Sequence, residues 1–373
     1  MSSLFTLDER NDLRIRRFDP NQSGFGPEEA RNAILFGAGG GGRFFLRFMR
    51  EAGVEPRAFV DNAQELWGTQ VDGIPVFPPS ELTCSDVSRV ILCTAFALRE
   101  QVEQCQQLGV KNFVPYFNFC QNPFPFVVAT EVEVEAIFND DEINALNDLW
   151  GDEKSRQVYK GTLAFRVTQD VQDMPSYQRG EYFLSEFFTL ADYRRFVDGG
   201  AFTGDTLEEL LEIMDGKIER YYGFEPDPEN YRILEQGRDA LPKNLAGRIQ
   251  NYPIALGEDE GEVSFQGLGN ACSAIGQDGL LRVLMNSIDN VLGEDECPTM
   301  IKLDIEGAEP AALKGMEKTI RRCRPALAIC VYHEVDHLWK LPLWVHQLGV
   351  GYRLFLRKHS ESYSETVCYA VPS

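Results

Sequence analysis

The sequence predicts an α/β protein with two doubly wound domains, each built on a mainly parallel sheet. Three observations lead to this prediction. Short apolar runs alternate with amphipathic helices in two separate parts of the chain. In each part a glycine-rich turn directly follows the first apolar run, and an acidic residue ends the second apolar run. Strands that end in glycines and lead into helices are typical of buried parallel sheets. The chain has 373 residues, which suffice for two domains of roughly 100–200 residues each.

The first domain is predicted over residues 31–117, after a polar lead-in over residues 1–30 with one short helix. Its first strand is the apolar run Ala33-Ile34-Leu35-Phe36, which ends in glycines. The following elements are a helix at 44–51, strands at 56–61 and 89–94, a helix at 98–108 and a last strand at 112–114.

Residues 118–186 are predicted to form a linker and an acidic helical bridge, with helices at 131–150 and 153–166. The second domain then spans residues 187–373. Its predicted strands are 196–198, 220–225, 248–256, 300–304 and 326–332, closed by an antiparallel pair at 352–356 and 366–371. Its predicted helices are 206–214, 228–241, 311–322 and 341–348.

The charge balance excludes two classes of partner. Asp and Glu number 58 against 36 Lys and Arg, which gives a net charge of −22 and a pI of about 4.6. Nucleic-acid binding and docking on anionic lipid both need clustered basic residues. We therefore expect neither a nucleic acid nor a membrane as partner.

The cysteines and the N-terminus predict a cytoplasmic protein. Nine cysteines are scattered without paired spacing, several of them inside apolar runs, and this pattern is typical of reduced, buried thiols. The N-terminal residues lack the apolar stretch of a signal peptide. No apolar run approaches the ~18 residues that a membrane span requires.

The most informative motif runs from Val197 to Thr206 and reads VDGGAFTGDT. An acid closes a strand, and the chain then turns through glycines, which allow a ligand to approach the backbone closely. The helix that follows begins near Asp205 or Thr206 and presents free N–H groups. A ligand with both a carboxylate and an ammonium suits this place, the ammonium meeting Asp198.

Glu225 ends the next strand, about 20 residues after Gly204, and acids at this spacing accept hydrogen bonds from ribose hydroxyls. An amino-acid end and a ribose end, with no phosphate needed between them, fit S-adenosylmethionine better than NAD. The alternative interpretation is a carboxylate that only caps a helix.

Asp304 and Glu306 follow the strand that begins at Met300. If the extended geometry continues, residues i and i+2 share a face, so both carboxylates could enter one pocket. Methyl transfer to an alcohol needs a group that takes the hydroxyl proton, and either a carboxylate or His333, at the end of the next strand, could do so. The two carboxylates could instead hold Mg²⁺, so a divalent metal is left open. For Glu309 a role at the helix N-terminus is favoured.

These residues carry a resemblance to a known family. Residues 187–371 resemble the FkbM family of S-adenosylmethionine-dependent methyltransferases, through the stretches FVDGGAFTGDT, YGFEPDPENYRIL, NYPIALGEDEGEVSF, SIDNVL and IKLDIEGAEPAALKGME. The resemblance implies a class I methyltransferase fold with a seven-stranded mixed sheet, and O-methylation of a hydroxyl. It also implies cofactor-side roles for Asp198, Gly200, Gly204, Glu225 and Asp304. Gly199 departs from the family, in which a small aliphatic residue is commoner, and we expect a looser turn there.

The motif and the resemblance together define the predicted site. The predicted cofactor-binding residues are Asp198, Gly199, Gly200, Ala201, Phe202, Gly204, Asp205, Thr206, Glu225, Pro226, Asp227, Ala255, Leu256 and Asp304. The catalytic candidates are His333, Asp304 and Glu306, with His337, His346 and His359 as weaker ones. The predicted function is O-methylation of a hydroxyl on a saccharide or polar metabolite.

The N-terminal glycines allow a rival interpretation. Gly37, Gly39 and Gly42 form a GxGxxG pattern, and Asp61 ends the next strand about 20 residues later. The surrounding sequence resembles the Rossmann-like, nucleotide-sugar-binding domains that precede some sugar-modifying enzymes. Three interpretations of this domain stay open. It could hold a sugar-nucleotide or NAD site, present a substrate, or be a structural relic used for packing or homo-oligomer contacts. The last interpretation is slightly favoured.

Overall fold

The computed structural model describes residues 4–17, 31–83, 89–94, 98–115, 129–266, 274–275, 281–361 and 364–373. The chain forms two compact units. The first contains residues 1–140, 157–177 and 360–364, and the second contains residues 141–156, 178–359 and 365–373. Residues of the predicted bridge are therefore divided between the two units.

The first unit is built on a sheet that has six strands within the described residues. These strands are β1 (Ala33–Phe36), β2 (Ala58–Val60), β3 (Gln70–Val71), β4 (Ile74–Phe77), β5 (Arg89–Leu92) and β6 (Phe113–Pro115). They lie in the order β3-β4-β2-β1-β5-β6, and every pair is parallel except the short hairpin of β3 with β4. All four residues of β1 are buried, as expected for the centre of a sheet with both faces covered.

Among the described residues, four α-helices lie wholly in the first unit, namely α1 (Leu7–Ile15), α2 (Gly40–Glu51), α3 (Leu98–Gln107) and α4 (Glu131–Asn139). Helix α2 begins four residues before the predicted start, within the glycines themselves. It buries Phe45, Leu46 and Met49, which are spaced as one apolar helical face, in the core of this unit.

The second unit is built on the predicted mixed sheet, which has seven strands in the described part of the chain. The order is β16-β17-β15-β14-β7-β8-β9, and β17 is antiparallel to both of its neighbours, β16 and β15, whereas the other neighbouring strands are parallel. The strands are β7 (Arg195–Gly199), β8 (Arg220–Phe224), β9 (Ile249–Tyr252), β14 (Met300–Leu303), β15 (Ala326–Cys330), β16 (Tyr352–Lys358) and β17 (Thr366–Pro372). The prediction of this sheet is confirmed, including the closing antiparallel pair.

The remaining helices are α5 (Asp141–Leu149), α6 (Glu153–Thr168), α7 (Asp205–Ile213), α8 (Pro228–Ala240), α9 (Lys243–Ala246), α10 (Ile288–Leu292), α11 (Glu309–Lys314), α12 (Glu317–Cys323) and α13 (His337–Gln347). Helix α8 has the predicted proline at its first position, and the Asp227 carboxylate accepts hydrogen bonds from Glu229 N and Asn230 N. These contacts satisfy two of the free N–H groups of the first turn.

A smaller sheet in the second unit was not predicted. It pairs β10 (Ala255–Leu256), β13 (Leu281–Asn286), β11 (Gly261–Gln266) and β12 (Ala274–Ile275) in that order. The single strand predicted at 248–256 is wrong, because β9 ends at Tyr252 and β10 belongs to this other sheet. Pro253 lies between them, and a proline cannot donate to a strand ladder.

The helix predicted at 311–322 is divided into α11 and α12. A side chain at Gly315 would lie 2.0 Å from the carbonyl oxygen of Gly257, so the chain approaches the neighbouring backbone at this glycine. The Asp289 carboxylate accepts hydrogen bonds from Lys318 N and Thr319 N. Helix α12 is thus capped by a residue distant in sequence, which local patterning does not reveal.

The cysteine prediction is partly wrong. Cys297 and Cys323 form a disulfide, with their Cα atoms 5.5 Å apart, whereas Cys93, Cys105, Cys330 and Cys368 are buried thiols. Cys84, Cys120 and Cys272 lie outside the described residues. Scattered spacing therefore did not exclude a pair that folding brings together.

We expect reductant to lower the free energy of unfolding by about 3 kcal/mol, since the disulfide closes a loop of intermediate length. Urea unfolding with and without reductant measures this difference. The double variant Cys297→Ser/Cys323→Ser should show no dependence on reductant. A thiol reagent added to unfolded protein should label Cys297 and Cys323 only after reduction. Equal labelling without and with reductant would contradict the pairing.

No helix in the described ranges is long and apolar enough to cross a membrane.

Candidate active site

A cavity of about 280 Å³ in the second unit is lined by residues that follow β7, β8 and β14. Ligands of doubly wound sheets bind outside the carboxyl ends of the strands, which is where these residues lie. The predicted site residues that line the cavity are Gly200, Phe202, Asp205, Thr206, Glu225, Pro226, Ala255, Leu256, Asp304 and Glu306. Those that do not line it are Asp198, Gly199, Ala201, Gly204, Asp227 and His333.

The glycine turn has the backbone shape that its sequence predicts. Gly200 and Gly204 have φ angles of +76° and +100°, in the region that favours glycine. A Cβ at Gly200 would lie only 1.8 Å from the carbonyl oxygen of Asp304. The turn can therefore pack against the end of β14 only because Gly200 has no side chain. Gly199, in contrast, is the last residue of β7 and lies within the strand.

Glu225 is a buried carboxylate at the cavity wall. Its Oε2 accepts a hydrogen bond from Phe202 N at 2.9 Å, and its Oε1 accepts one from Asp227 N at 2.8 Å. Burial raises the pKa of Glu225 to about 7, although the two backbone hydrogen bonds act in the opposite direction. The carboxylate thus holds the glycine turn and still has lone pairs for a ligand.

The acid at the corresponding position of the first unit makes the same two kinds of contact. Asp61 accepts hydrogen bonds from Ala38 N at 2.7 Å and from Ala63 N at 2.8 Å. A Cβ at Gly42 would lie 1.9 Å from the carbonyl oxygen of Gly37, so this glycine allows close packing of α2. Part of the GxGxxG-plus-acid pattern is therefore needed to form the loop, whether or not a nucleotide binds there.

Asp198 lies behind the cavity surface. Its side chain is fully buried, Tyr221 Oη donates to it at 2.7 Å, and Lys302 Nζ lies 2.9 Å away. Lys302 Nζ also donates to the carbonyl oxygen of Gly200 at 2.7 Å. Burial alone would lower the pKa of Lys302, but Asp198 and then Asp304 outweigh it and raise that pKa. Asp198, which was expected to meet a ligand's ammonium, therefore does not line the cavity, whereas Lys302 does.

Asp304 is held by two tyrosines that the sequence analysis did not single out. Tyr182 Oη donates to its Oδ2 at 3.0 Å, and Tyr332 Oη donates to its Oδ1 at 3.2 Å. Burial works against ionisation of Asp304, but His333 and Lys302 outweigh it and lower its pKa. Asp304 is thus a fixed carboxylate whose orientation the surrounding phenols determine.

Glu306 reaches the same cavity by a turn, and the expected extended geometry is wrong. Strand β14 ends at Leu303, and Glu306 has a φ angle of +54°, which is unusual for a residue with a side chain. Such local strain is often found at functional sites. Burial, with Asp304 and Glu309 adding to it, raises the pKa of Glu306 to about 7, although the nearby His333 opposes the shift.

His333 lies beneath these two carboxylates. Its Nε2 is 3.3 Å from Asp304 Oδ1 and 3.6 Å from Glu306 Oε2, and its Nδ1 is 2.9 Å from Glu309 Oε1. Glu309 is completely buried and also accepts hydrogen bonds from Ile305 N and Gly307 N. Its expected place at a helix N-terminus is confirmed, and it additionally orients His333.

The other histidines lie outside the cavity lining. His337 Nδ1 is 3.4 Å from Glu309 Oε2, and His346 is exposed on α13. His359 Nδ1 lies 3.0 Å from Gln178 O, and burial lowers the pKa of His359 to about 4. None of the three lines the cavity.

The cavity is strongly acidic. Six of its lining residues carry carboxylates, namely Glu181, Asp205, Glu225, Asp304, Glu306 and Glu365. Lys302 is the single lysine or arginine among the lining residues that the structure describes. Burial, followed by Asp304 and Glu365, raises the pKa of Glu181 to about 8. Such a lining favours a ligand that carries positive charge.

Sequence reasoning missed Lys302, Tyr182, Tyr332 and Glu181. Lys302 had a signal, because a lysine inside an otherwise apolar strand, two residues before Asp304, needs a partner. Tyr182 had none, since 122 residues separate it from Asp304. Contacts of this kind follow only from the folded chain.

Comparisons with known proteins agree with this geometry. Residues 198–359 match the family model described as "Methyltransferase FkbM domain". A crystal structure of Methyltransferase FkbM from Methylobacillus flagellatus KT superposes with a TM-score of 0.70 at 24% sequence identity, covering 99% of this chain and 94% of that one. The prediction of a class I methyltransferase fold is confirmed.

A curated relative is the Hexuronic acid methyltransferase AglP of Haloferax volcanii. It is 27% identical over 105 residues, which are 27% of this chain and 42% of that protein. The matched stretch thus spans less than half the length of the relative. Residues 198–359 are thus similar to the FkbM methyltransferase domain, and the chain also resembles a methyltransferase over a shorter stretch.

Proposed function

We propose that the second unit binds S-adenosylmethionine in the acidic cavity and transfers its methyl group to a hydroxyl of a saccharide or another polar metabolite. The premise is the similarity of residues 198–359 to the FkbM methyltransferase domain. The observation that carries the proposal is the cavity itself, in which a glycine turn, a strand-terminal acid and a cluster of carboxylates line one space at the strand ends.

The lining fits the three parts of this cofactor. Ala255, Leu256 and Phe265 offer apolar surface for the adenine. Glu225 can accept hydrogen bonds from ribose hydroxyls beside those it accepts from the backbone. The surplus of carboxylates complements the sulfonium and the ammonium. Asp198 contributes indirectly, through Lys302 and the turn at Gly200.

The reaction needs a hydroxyl oxygen placed behind the methyl carbon and a route for its proton. The cofactor would supply an electrophilic methyl group, whose bond to sulfur breaks, with its electron pair staying on sulfur, as the new oxygen–carbon bond forms. The hydroxyl proton would pass to a carboxylate of the cavity or to solvent. Asp304 and Glu306 line the cavity and can orient the hydroxyl by accepting its hydrogen bond. His333 does not line the cavity, so we assign it a supporting role beneath these carboxylates in place of the direct contact first expected.

Two observations support a saccharide acceptor. The acceptor side of the cavity presents phenols and carboxylates, which are suited to hydrogen-bonding with several hydroxyls. The relative from Haloferax volcanii is named a hexuronic acid methyltransferase, although the match covers a minority of either chain. A transfer assay with S-adenosylmethionine over a panel of mono- and oligosaccharides tests this part of the proposal.

We predict that Glu225→Ala weakens binding of S-adenosylhomocysteine by about 10–100-fold, because a hydrogen bond to a charged group contributes roughly 1.5–3 kcal/mol. Isothermal titration of the full chain measures the affinity. Asp61→Ala is the matched control, since it removes the corresponding acid of the first unit and should leave this affinity unchanged.

The same two variants separate the proposal from its rival. If NAD binds tightly, S-adenosylhomocysteine does not, and Asp61→Ala abolishes the binding, then the active nucleotide site lies at the N-terminal glycine loop. Binding of S-adenosylhomocysteine that Glu225→Ala leaves intact would contradict the assigned role of Glu225.

A further inference from the structure

We propose that Asp304, Glu306 and His333 bind a divalent transition-metal cation at the cavity wall, with Glu309 as the residue that positions His333. The inference deepens the proposed function and rests on it for the role of the cation, while cation binding itself is measured independently.

The three side chains are spaced as ligands of a single ion. One donor atom from each lies within 4.8 Å of the other two. His333 Nε2 lies 3.3 Å from Asp304 Oδ1 and 3.6 Å from Glu306 Oε2. With metal–ligand bonds of about 2.0–2.2 Å, tetrahedral ligands lie roughly 3.3–3.6 Å apart. An ion could therefore occupy the centre of the cluster with little rearrangement.

The buried imidazole nitrogen that points into the cluster is a second, independent observation. The His333 side chain is 3% exposed, and its Nε2 makes no hydrogen bond of good geometry in the described structure. Its other nitrogen lies 2.9 Å from Glu309 Oε1, so in the neutral imidazole Nδ1–H donates to that carboxylate. In this neutral tautomer the lone pair of Nε2 points at two carboxylate oxygens, an arrangement that becomes favourable when a cation lies between them or when a proton occupies Nε2.

Glu309 has the properties of an outer-shell residue of a metal site. It is completely buried, and two backbone N–H groups, from Ile305 and Gly307, fix its carboxylate. Carboxylates that accept from the distal nitrogen of a metal-bound histidine set the tautomer and the ring orientation. The sequence separation of Glu309 and His333 shows that the fold, and not a local turn, creates this pair.

The donor set indicates the type of ion. Two carboxylates and one imidazole suit Mn²⁺, Fe²⁺, Co²⁺ or Zn²⁺ better than Mg²⁺ or Ca²⁺, which prefer oxygen ligands. Asp304 and Glu306 are partly exposed, at 25% and 31% of their side-chain surface, whereas His333 is buried. The ion would thus have protein ligands beneath it and an open coordination position towards the cavity.

This placement gives the cation a defined role in the proposed reaction. A cation at the wall lowers the pKa of a hydroxyl that contacts it, so the proton leaves to solvent more readily. The oxygen then provides the electron pair of the new bond to the methyl carbon, and the pair of the old carbon–sulfur bond stays on sulfur. A cation at this position favours acceptors whose hydroxyl groups can contact a metal ion, such as a polyhydroxylated sugar.

The test is cation binding to the full chain after dialysis against EDTA, without cofactor or acceptor. Mn²⁺ binding is followed by loss of the free-ion electron paramagnetic resonance signal, and Zn²⁺ binding by titration calorimetry. We expect one high-affinity ion per chain. Glu306→Gln, at a partly exposed turn position, should weaken its affinity by at least about 10-fold, because it removes an anionic ligand.

Two further variants make the test specific. Glu258→Gln removes an exposed carboxylate that pairs with Lys314, and it should leave cation affinity unchanged. Glu309→Gln should weaken affinity by about 10–100-fold and alter the visible spectrum of bound Co²⁺, since it changes the orientation of His333. A merely structural role of Glu309 would not alter that spectrum in protein that remains folded.

The outcomes distinguish failure of the inference from failure of the proposed function. Absence of Mn²⁺ and Zn²⁺ binding, or equal binding in the Glu306→Gln and parent proteins, overturns the cation site, and a protonated His333 then explains the cluster. If one ion binds and its binding depends on Glu306 and Glu309, the cation site is supported. If S-adenosylhomocysteine does not bind in the same protein, the methyltransferase proposal is overturned while the cation site stands. Methyl transfer at an unchanged rate in EDTA overturns the role of the cation in the reaction.

Discussion

Replacement of Lys302 by methionine is expected to lower the free energy of unfolding by about 3–5 kcal/mol, the cost of leaving one member of a buried ion pair without its partner. Lys302 is 3% exposed, and the Asp198 carboxylate that it neutralises is completely buried. Tyr221 would remain as a single hydrogen-bond donor to that carboxylate. The substitution also removes the hydrogen bond from Lys302 to Gly200 O, so we expect weaker binding of S-adenosylhomocysteine as well.

Urea unfolding and ligand titration measure the two effects. Lys314→Met is the matched control, because Lys314 pairs with Glu258 at the surface and such pairs contribute roughly 0–1 kcal/mol. Adding Asp198→Asn to Lys302→Met should recover part of the lost stability, since the unpaired charge is then gone. A loss below about 1 kcal/mol in the single variant would show that the pair does not hold this part of the sheet.

Gly200→Ala is expected to lower the free energy of unfolding by about 2–6 kcal/mol and to abolish detectable cofactor binding. The backbone at Gly200 has a φ of +76°, which costs a residue with a side chain about 1–3 kcal/mol. The new Cβ would also lie 1.8 Å from Asp304 O, and overpacking of this kind costs about 1–3 kcal/mol more. Relief of the clash requires the turn or the end of β14 to move, and both line the cavity.

Gly237→Ala is the matched control for this prediction. Gly237 lies inside α8, and a Cβ there would meet no atom within 4 Å. Alanine is favoured over glycine in a helix by about 1 kcal/mol, so this variant should be as stable as the parent protein or more so. Retention of cofactor affinity in Gly200→Ala would contradict the inferred packing of the turn.

Much of the fold could be predicted from the sequence because its signals are local. The apolar run Ala33–Phe36 and the strand at Met300–Leu303 are short and bounded by glycines or acids, as buried parallel strands are. The predicted start of α8 at Pro228 is correct. One wrong prediction depended on a distant contact, the capping of α12 by Asp289, whereas the end of β9 depended on the neighbouring Pro253, a local signal that was not used.

The candidate site was predictable in part for the same reason. Gly200, Glu225, Asp304 and Glu306 come from motifs at strand ends, and all of them line the cavity. Asp198 comes from the same kind of motif but does not line the cavity, because a strand-end acid can face inward when a lysine from the neighbouring strand neutralises it. Asp198 and Lys302 are direct partners in the β7–β14 register, a relation that the sequence does not contain.

The sequence by itself therefore determined the two doubly wound units, the glycine turn and the acids at the strand ends, since periodicity and turn chemistry operate over a few residues. Three features follow only from the folded chain. These are which acids face the cavity, which acid Lys302 neutralises, and the contact of Glu309 with His333 beneath Asp304 and Glu306. These features depend on strand register and on the burial of charge. Both arise from contacts between residues far apart in the chain, where the energy of a carboxylate is set by the groups that the fold places around it.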